Sequence, residues 1–327
     1  MPESVSSRRY PQDAWCPDRL LAHRLPLDAL LMRLPAARPA DTMMALAAGL
    51  LAAAPATVHA QRERAIVRAE SFGGTTVERP AGTVGRDSYT QQGVQVQLSH
   101  RVVREQGRSI VLLGGQWRGV QVALPQPSGA REPNTLTTLH VAAADLMLLR
   151  TVGERHTVVG VLRPGLYGES VRAEGALFVD RIVSPRTTVG AGLSYGSAYG
   201  RLLPIPVVHV LSRVSRRVLV DALLPARGDV WWMPRRGLDL GVNASLAGAQ
   251  YGLSTAQQVA GANQLWLANA TVGPQARWSP GGGKWQVTAD AGFTVLRRLE
   301  YARDGRSVAD LAPGNVPYAR LGLQRLF

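Results

Sequence analysis

After residue 60 this chain repeats one short pattern many times, about ten residues in which apolar and polar side chains alternate, then a few turn residues. A period of two belongs to an extended strand whose two faces meet different surroundings. Within 93–104, Val94, Val96, Leu98 and Val102 stand against Gln95, Gln97, Ser99 and Arg101. Glu105-Gln106-Gly107-Arg108 then turns the chain and 109–123 returns. The pattern recurs in 137–151 and 157–167 around Gly153-Glu154-Arg155, in 174–183 and 187–195 around Ser184-Pro185-Arg186, and in 203–212 and 217–224 around Val214-Ser215-Arg216. A short strand at 229–233 precedes Pro234-Arg235-Arg236-Gly237 and the long strand 238–251, and 264–278 and 284–301 flank a Ser-Pro-Gly-Gly-Gly turn at 279–283. No 18-residue apolar stretch follows residue 60, which excludes helical membrane spans.

Repeated two-faced strands without a buried-core composition point to an all-β, closed antiparallel transmembrane β-barrel, oily outside and wet inside. The last segment, Tyr318 to Phe327, fits its closing strand. Ala319, Leu321, Leu323 and Phe327 share one face, with Arg325 as the polar exception, and Arg320, Gly322 and Gln324 share the other. These segments give thirteen strands. A single-chain barrel with both ends on one rim needs an even number, so one earlier strand is expected within 64–72, making fourteen, with twelve as the fallback if 229–233 is no independent strand. With Phe327 at the periplasmic side, the tight turns fall on that side and the longer connections at 125–134, 254–261 and 304–315 fall outside. Trp231, Trp232, Trp278, Trp285 and Phe327 would form an inner aromatic belt, and Tyr167, Tyr195, Tyr199, Tyr251, Tyr301 and Tyr318 an outer one.

Ahead of the barrel, 44–58 is a short Ala- and Leu-rich run ending in Val58-His59-Ala60, a small-x-small site followed by polar residues. It predicts a signal peptide over 32–60, cleaved after Ala60, with Met32-Arg33 and Arg38 as its basic start. Residues 1–31 then form a non-native or disordered extension, and 61–327 the mature outer-membrane barrel. The sole cysteine, Cys16, lies upstream of the cut, so neither a disulfide framework nor a lipid-anchored cysteine is expected.

The formal net charge is +14, and Lys284 is the only lysine. Residues 1–60 carry six Arg and five acidic residues, which leaves +13 on the mature part. The arginines are spread singly through strands and turns rather than gathered on one helix, which argues against nucleic-acid binding. A wet lumen, or lipopolysaccharide phosphates at the rim, accounts better for the spread.

Chemistry-bearing motifs are sparse. A hydrolase would need a nucleophile with a histidine and an orienting carboxylate or amide, and His100, His140, His156 and His209 each lie in or beside a strand without a serine motif. Gly281-Gly282-Gly283-Lys284 is followed by Trp285 instead of Ser or Thr, so it reads as a turn and not a phosphate loop. Asn243 and Asn269 head chance sequons on strands. No cluster has metal-ligand spacing, and no cofactor is expected. On the alternation, the lumen-facing polar candidates are Gln95, Gln97, Arg101, Asp221, Asp239, Asn243, Arg277, Gln286, Asp290 and Arg320.

From Leu139 onward the chain resembles a domain-of-unknown-function family of bacterial outer-membrane β-barrels. The segments that carry the resemblance are Leu139-His140-Val141, Val161-Leu162-Arg163-Pro164-Gly165, Gly190 to Gly196 with Tyr199-Gly200, Leu203-Pro204-Ile205-Pro206, Leu223-Leu224-Pro225 and Gly248-Ala249-Gln250-Tyr251. The resemblance implies a barrel and no assigned activity. Together these readings predict a narrow pore or small-solute transporter that is not an enzyme. The alternatives are a structural or interaction barrel with a side-chain-filled lumen and an outer-membrane hydrolase. Expected partners are outer-membrane lipid and lipopolysaccharide, and the barrel-assembly machinery through the strand ending at Phe327.

Overall fold

The computed structural model describes residues 64–78, 86–105, 109–124, 135–258, 261–280 and 283–327. The expected extension and signal segment lie outside the described residues. Fourteen strands hydrogen-bond in one antiparallel ring. In chain order they are β1 (Arg64–Glu78), β2 (Arg86–Glu105), β3 (Ser109–Leu124), β4 (Thr135–Val152), β5 (His156–Tyr167), β6 (Ser170–Ser184), β7 (Thr187–Gly196), β8 (Leu203–Ser212), β9 (Val218–Leu224), β10 (Arg227–Arg235), β11 (Leu238–Gly252), β12 (Gln264–Trp278), β13 (Trp285–Arg303) and β15 (Pro317–Leu326). The remaining strand, β14 (Arg306–Leu311), pairs with β13 alone and extends it above the ring. The connection expected at 304–315 therefore holds a hairpin.

Closure comes from β1 and β15, which pair antiparallel from Arg64↔Leu326 to Phe72↔Tyr318. With β13 bonded to both β12 and β15, the ring has no free edge. A strand sequence in lipid demands this, because water is not there to satisfy an open ladder. The 229–233 segment forms β10, paired on both sides, so the count stays at fourteen. Connections on the rim that carries both ends of the ring are short, while the opposite rim carries most of the long ones. Two outer connections are nonetheless tight, at 168–169 and 225–226, because β9 and β10 end early and β5 turns straight into β6.

Outward positions are exposed and apolar, as at Leu98, Leu162, Leu177, Val242, Phe293 and Leu321. A soluble protein would bury such a contiguous band; in a bilayer it is the lipid face. Trp232, Trp278 and Trp285 are exposed beside the short turns and form the inner aromatic girdle. Arg325 is accommodated on this face by stacking, 5.4 Å from the Trp285 ring centroid and 4.8 Å from that of Phe327.

The outer tyrosine belt is where the structure departs from expectation. Tyr195 and Tyr199 are exposed, but Tyr167, Tyr251, Tyr301 and Tyr318 are buried, as is Trp231 on the inner half. Their positions have inward parity, and at the outer end the cylinder is flattened so that opposite walls pack directly. Val120, Val122, Leu139 and Val141 of β3 and β4 join Tyr251, Leu265, Leu267, Leu299 and Tyr301 of β11 to β13 in one apolar cluster. Cross-wall bonds accompany it, with Asn269 Nδ2 donating to Gln91 Oε1 at 3.1 Å and Gln257 Nε2 donating to the Thr138 carbonyl at 3.4 Å.

The wall beside this cap is irregular. β9 has seven residues, fewer than the roughly 9–11 that a tilted spanning strand needs. Above it the 197–202 connection lies against β11 to β13, where Leu202 N–H donates to Gln250 Oε1 and Arg201 pairs with Glu300 at 2.5 Å. Gly248 makes that approach possible, since a Cβ there would stand 2.5 Å from the carbonyl oxygens of Ser197 and Ala198.

Candidate functional site

Below the apolar cap the inward residues change character. Strand parity sends Arg68 and Glu70 of β1, Gln95 and Gln97 of β2, Arg118 of β3, Asp145 of β4 and Arg163 of β5 into the lumen, and β10 to β13 and β15 contribute Asp229, Asp239, Asn243, Gln275, Arg277, Asp290 and Arg320. Charged groups persist in such a space only where they pair or stay hydrated. Here most pair.

Four groups of contacts organise the lining. In the first, Arg118 Nη2 donates to Glu70 Oε1 at 2.6 Å, and Arg320 lies 3.6 Å from Glu70 and 3.5 Å from Asp290. Arg320 also donates to Ser245 Oγ at 3.3 Å and Thr271 Oγ1 at 3.0 Å, so β15 is tied to β12 across β13 and to β11 one strand further. In the second, Asp145 accepts from Arg163 at 2.6 Å and from Gln97 at 3.3 Å, with Gln95 donating to Gln116 at 3.3 Å beside it.

The third group centres on Asp229, which accepts from Asn243 and Gln275, each at 2.9 Å, while Arg277 pairs with Asp239 at 2.7 Å and stacks 4.4 Å from the Trp231 centroid. In the fourth, His209 Nδ1 lies 2.8 Å from Asp180, Asp221 pairs with Arg227 at 3.0 Å, and Phe178 meets the imidazole edge-on. Gln286 donates to Ser279 Oγ at 3.3 Å near the inner rim, and Arg101 is half-buried near the same end of β2.

All ten sequence-derived candidates are half-buried, neither sealed in packing nor fully open. Sequence reasoning missed Glu70, Arg118, Asp145, Arg163 and Asp229, although each shares the inward parity of a neighbouring candidate. It also missed Arg68. Arg68 pairs with Gln95 and Gly322 in register and faces the lumen, yet it is exposed and has no ion-pair or hydrogen-bond partner among the described residues. The missing side chain at Gly322 leaves its guanidinium room, because a Cβ there would lie 3.9 Å from Arg68 Nε.

The histidines do not converge. His100, His140 and His156 are exposed on three strands, and His209 is engaged with Asp180. No group of three or more His, Cys, Asp or Glu among the described residues could hold a metal ion.

Glu70 is the hinge of the first group, since it faces two arginines at once. Glu70→Gln is expected to lower barrel stability by about 1.5–3 kcal/mol, the usual worth of hydrogen bonds to charged groups, read as a lower denaturant midpoint in detergent with an unchanged slope.

No protein-family model matches the chain, and no curated protein matches it by sequence. Among solved structures it is similar to a TodX monoaromatic hydrocarbon channel deletion mutant, at 11% identity and TM-score 0.44 over 82% of this chain and 91% of that one. An outer membrane channel from Pseudomonas putida F1 gives 12% and 0.41, over 84% and 99%. A triple mutant of the Rhodopseudomonas blastica porin gives 9% and 0.30, over 81% and 100%. Identities and scores this low carry no argument about function. The closed ring and its apolar exterior decide the setting. The chain is an outer-membrane β-barrel.

Proposed function

We propose that the barrel is a narrow, gated transporter of small solutes that favours anions, and that it is not an enzyme. The observation that carries this reading is Arg68, a guanidinium exposed to the lumen with no ion-pair or hydrogen-bond partner among the described residues, while the carboxylates near it, Glu70 and Asp290, are engaged by Arg118 and Arg320. Paired groups cancel and leave little field; a cation left without a partner in a narrow polar passage attracts anions and repels cations. The apolar cap above it makes the passage a gated one, and a fourteen-strand ring leaves only a narrow interior once its side chains are counted. The resemblance of the sequence to a barrel family without assigned activity is compatible with this, and membership in that family is part of the proposal.

Planar-bilayer recording on the purified, heat-modifiable barrel tests it. Low, intermittent conductance with reversal potentials favouring chloride is the expected result, with the preference falling several-fold in Arg68→Gln. Silence under all conditions in a folded sample would instead favour the reading in which the cross-lumen contacts make this a filled, structural barrel. We further propose that β15, with Phe327 directly after it, is the segment presented to the barrel-assembly machinery.

A further inference from the structure

We propose that the short-turn rim between β4 and β11 is a docking surface for phosphate-bearing lipid headgroups of the leaflet it faces, the periplasmic one in the orientation given above. Four successive turns on that rim are basic. Arg150 and Arg155 flank the β4–β5 turn, Arg181 and Arg186 the β6–β7 turn, Arg213, Arg216 and Arg217 the β8–β9 turn, and Arg235 and Arg236 the β10–β11 turn. All nine are exposed, and none forms an ion pair with a described carboxylate. Glu154 is the single acidic residue in these turns. The inward carboxylates nearest this rim are already engaged, Asp239 by Arg277 at 2.7 Å and Asp180 by His209 at 2.8 Å.

The outer end of the barrel also carries arginine, but there carboxylates engage two of the arginines directly. Arg201 pairs with Glu300 at 2.5 Å and Arg298 with Asp310 at 2.7 Å. Among the described residues, an arc of eight neighbouring strands on this rim thus carries nine exposed arginines without a carboxylate partner. A merely solvated rim would be expected to mix both signs.

Position selects lipid over a soluble acidic partner. Arg150 and Arg181 lie on outward faces, each two residues beyond an exposed apolar side chain, Leu148 and Val179. Trp232, at the end of β10, marks the same boundary. A guanidinium at that depth lays its stem along acyl chains and lifts its head to the phosphate layer, where planar bidentate donation fits phosphate oxygens. The turn arginines stand just beyond, within the reach of the surface potential of anionic lipid, worth about 1 kcal/mol, or roughly fivefold in affinity, for each basic residue.

The test uses the purified full barrel in mixed micelles carrying phosphatidylcholine and phosphatidylglycerol, with retained lipid counted by native mass spectrometry. The native protein is expected to retain phosphatidylglycerol about twenty-five-fold over phosphatidylcholine, two fivefold contributions multiplied. That preference should fall towards unity in Arg213→Gln/Arg216→Gln/Arg217→Gln/Arg235→Gln/Arg236→Gln, whose substitutions are in exposed turns and leave the heat-modifiable band intact. Arg150→Gln/Arg181→Gln should weaken it separately. Equal retention of the two lipids by the native protein overturns the proposal, as does a preference that survives both variants. Loss of bound lipid in sodium phosphate but not in sodium chloride of equal ionic strength would mark capture of free phosphate and overturn the assignment to lipid. None of these readouts depends on Arg68 or on conductance, so failure of the transport reading leaves this result standing.

Discussion

Shaving the outer cap, by Tyr251→Ala together with Leu299→Ala, is expected to turn an intermittently conducting barrel into a persistently open one. Both side chains are almost fully buried, at 1% and 0% exposure, and both face the opposite wall rather than lipid. Leu299 opposes Leu267 in register, and Tyr251 opposes Leu265. Their removal takes apolar volume from the point where β11–β13 press on β3 and β4. Each truncation costs about 2–5 kcal/mol from lost burial and the space left behind. That cost falls on the contact between walls, while the ring of backbone hydrogen bonds is untouched, so the barrel stays closed and heat-modifiable. A folded variant whose single-channel trace matched that of the parent would show that the cap does not gate the passage.

The second large effect sets two adjacent residues against each other. Val242 points to lipid with 54% exposure, and Asn243 points inward and donates to Asp229. Val242→Arg should destabilise the folded barrel by about 2–4 kcal/mol, the penalty for a guanidinium on the lipid face near mid-membrane. Asn243→Arg should cost far less, because Asp229 supplies a carboxylate and the lumen supplies water. Equilibrium unfolding in lipid vesicles measures both. Equal costs at the two positions would mean that the faces had been assigned wrongly, and with them the whole inside–outside pattern.

Much of this architecture is legible in the sequence, because lipid and water impose a period of two that survives in every strand. Strand number followed from that period and from the need for an even count. Faces were legible wherever parity was followed, as from Asp239 through Asn243 on β11, which by the same count carries Tyr251 inward. The tyrosines were misplaced because position along the strand was weighed in place of face. Tyr301 could not have been placed by counting at all. In β13 Thr271 opposes Thr294 and Ala270 opposes Leu296, so Val295 is an extra residue, and this bulge reverses the parity of everything beyond it.

The lining was legible only in part. Parity names residues that face inward but says nothing of which wall they will meet. Glu70, Arg118 and Arg320 come from β1, β3 and β15, some 250 residues apart in the chain at the extremes. The flattening that brings Gln91 to Asn269 is a property of the closed cylinder, not of any segment. That Arg68 has no ion-pair or hydrogen-bond partner among the described residues is recognised only once its neighbours' pairings are known.

The early end of β9 and β10 leaves Ala247 to Tyr251 on β11 without a strand beside them on the β10 side, where the 197–202 segment and a few polar side chains stand in. A ladder replaced by side-chain contacts opens at smaller cost than an intact one. This seam should surrender its amide protons to heavy water ahead of the rest of the cylinder, and should be the first place where the wall yields under heat.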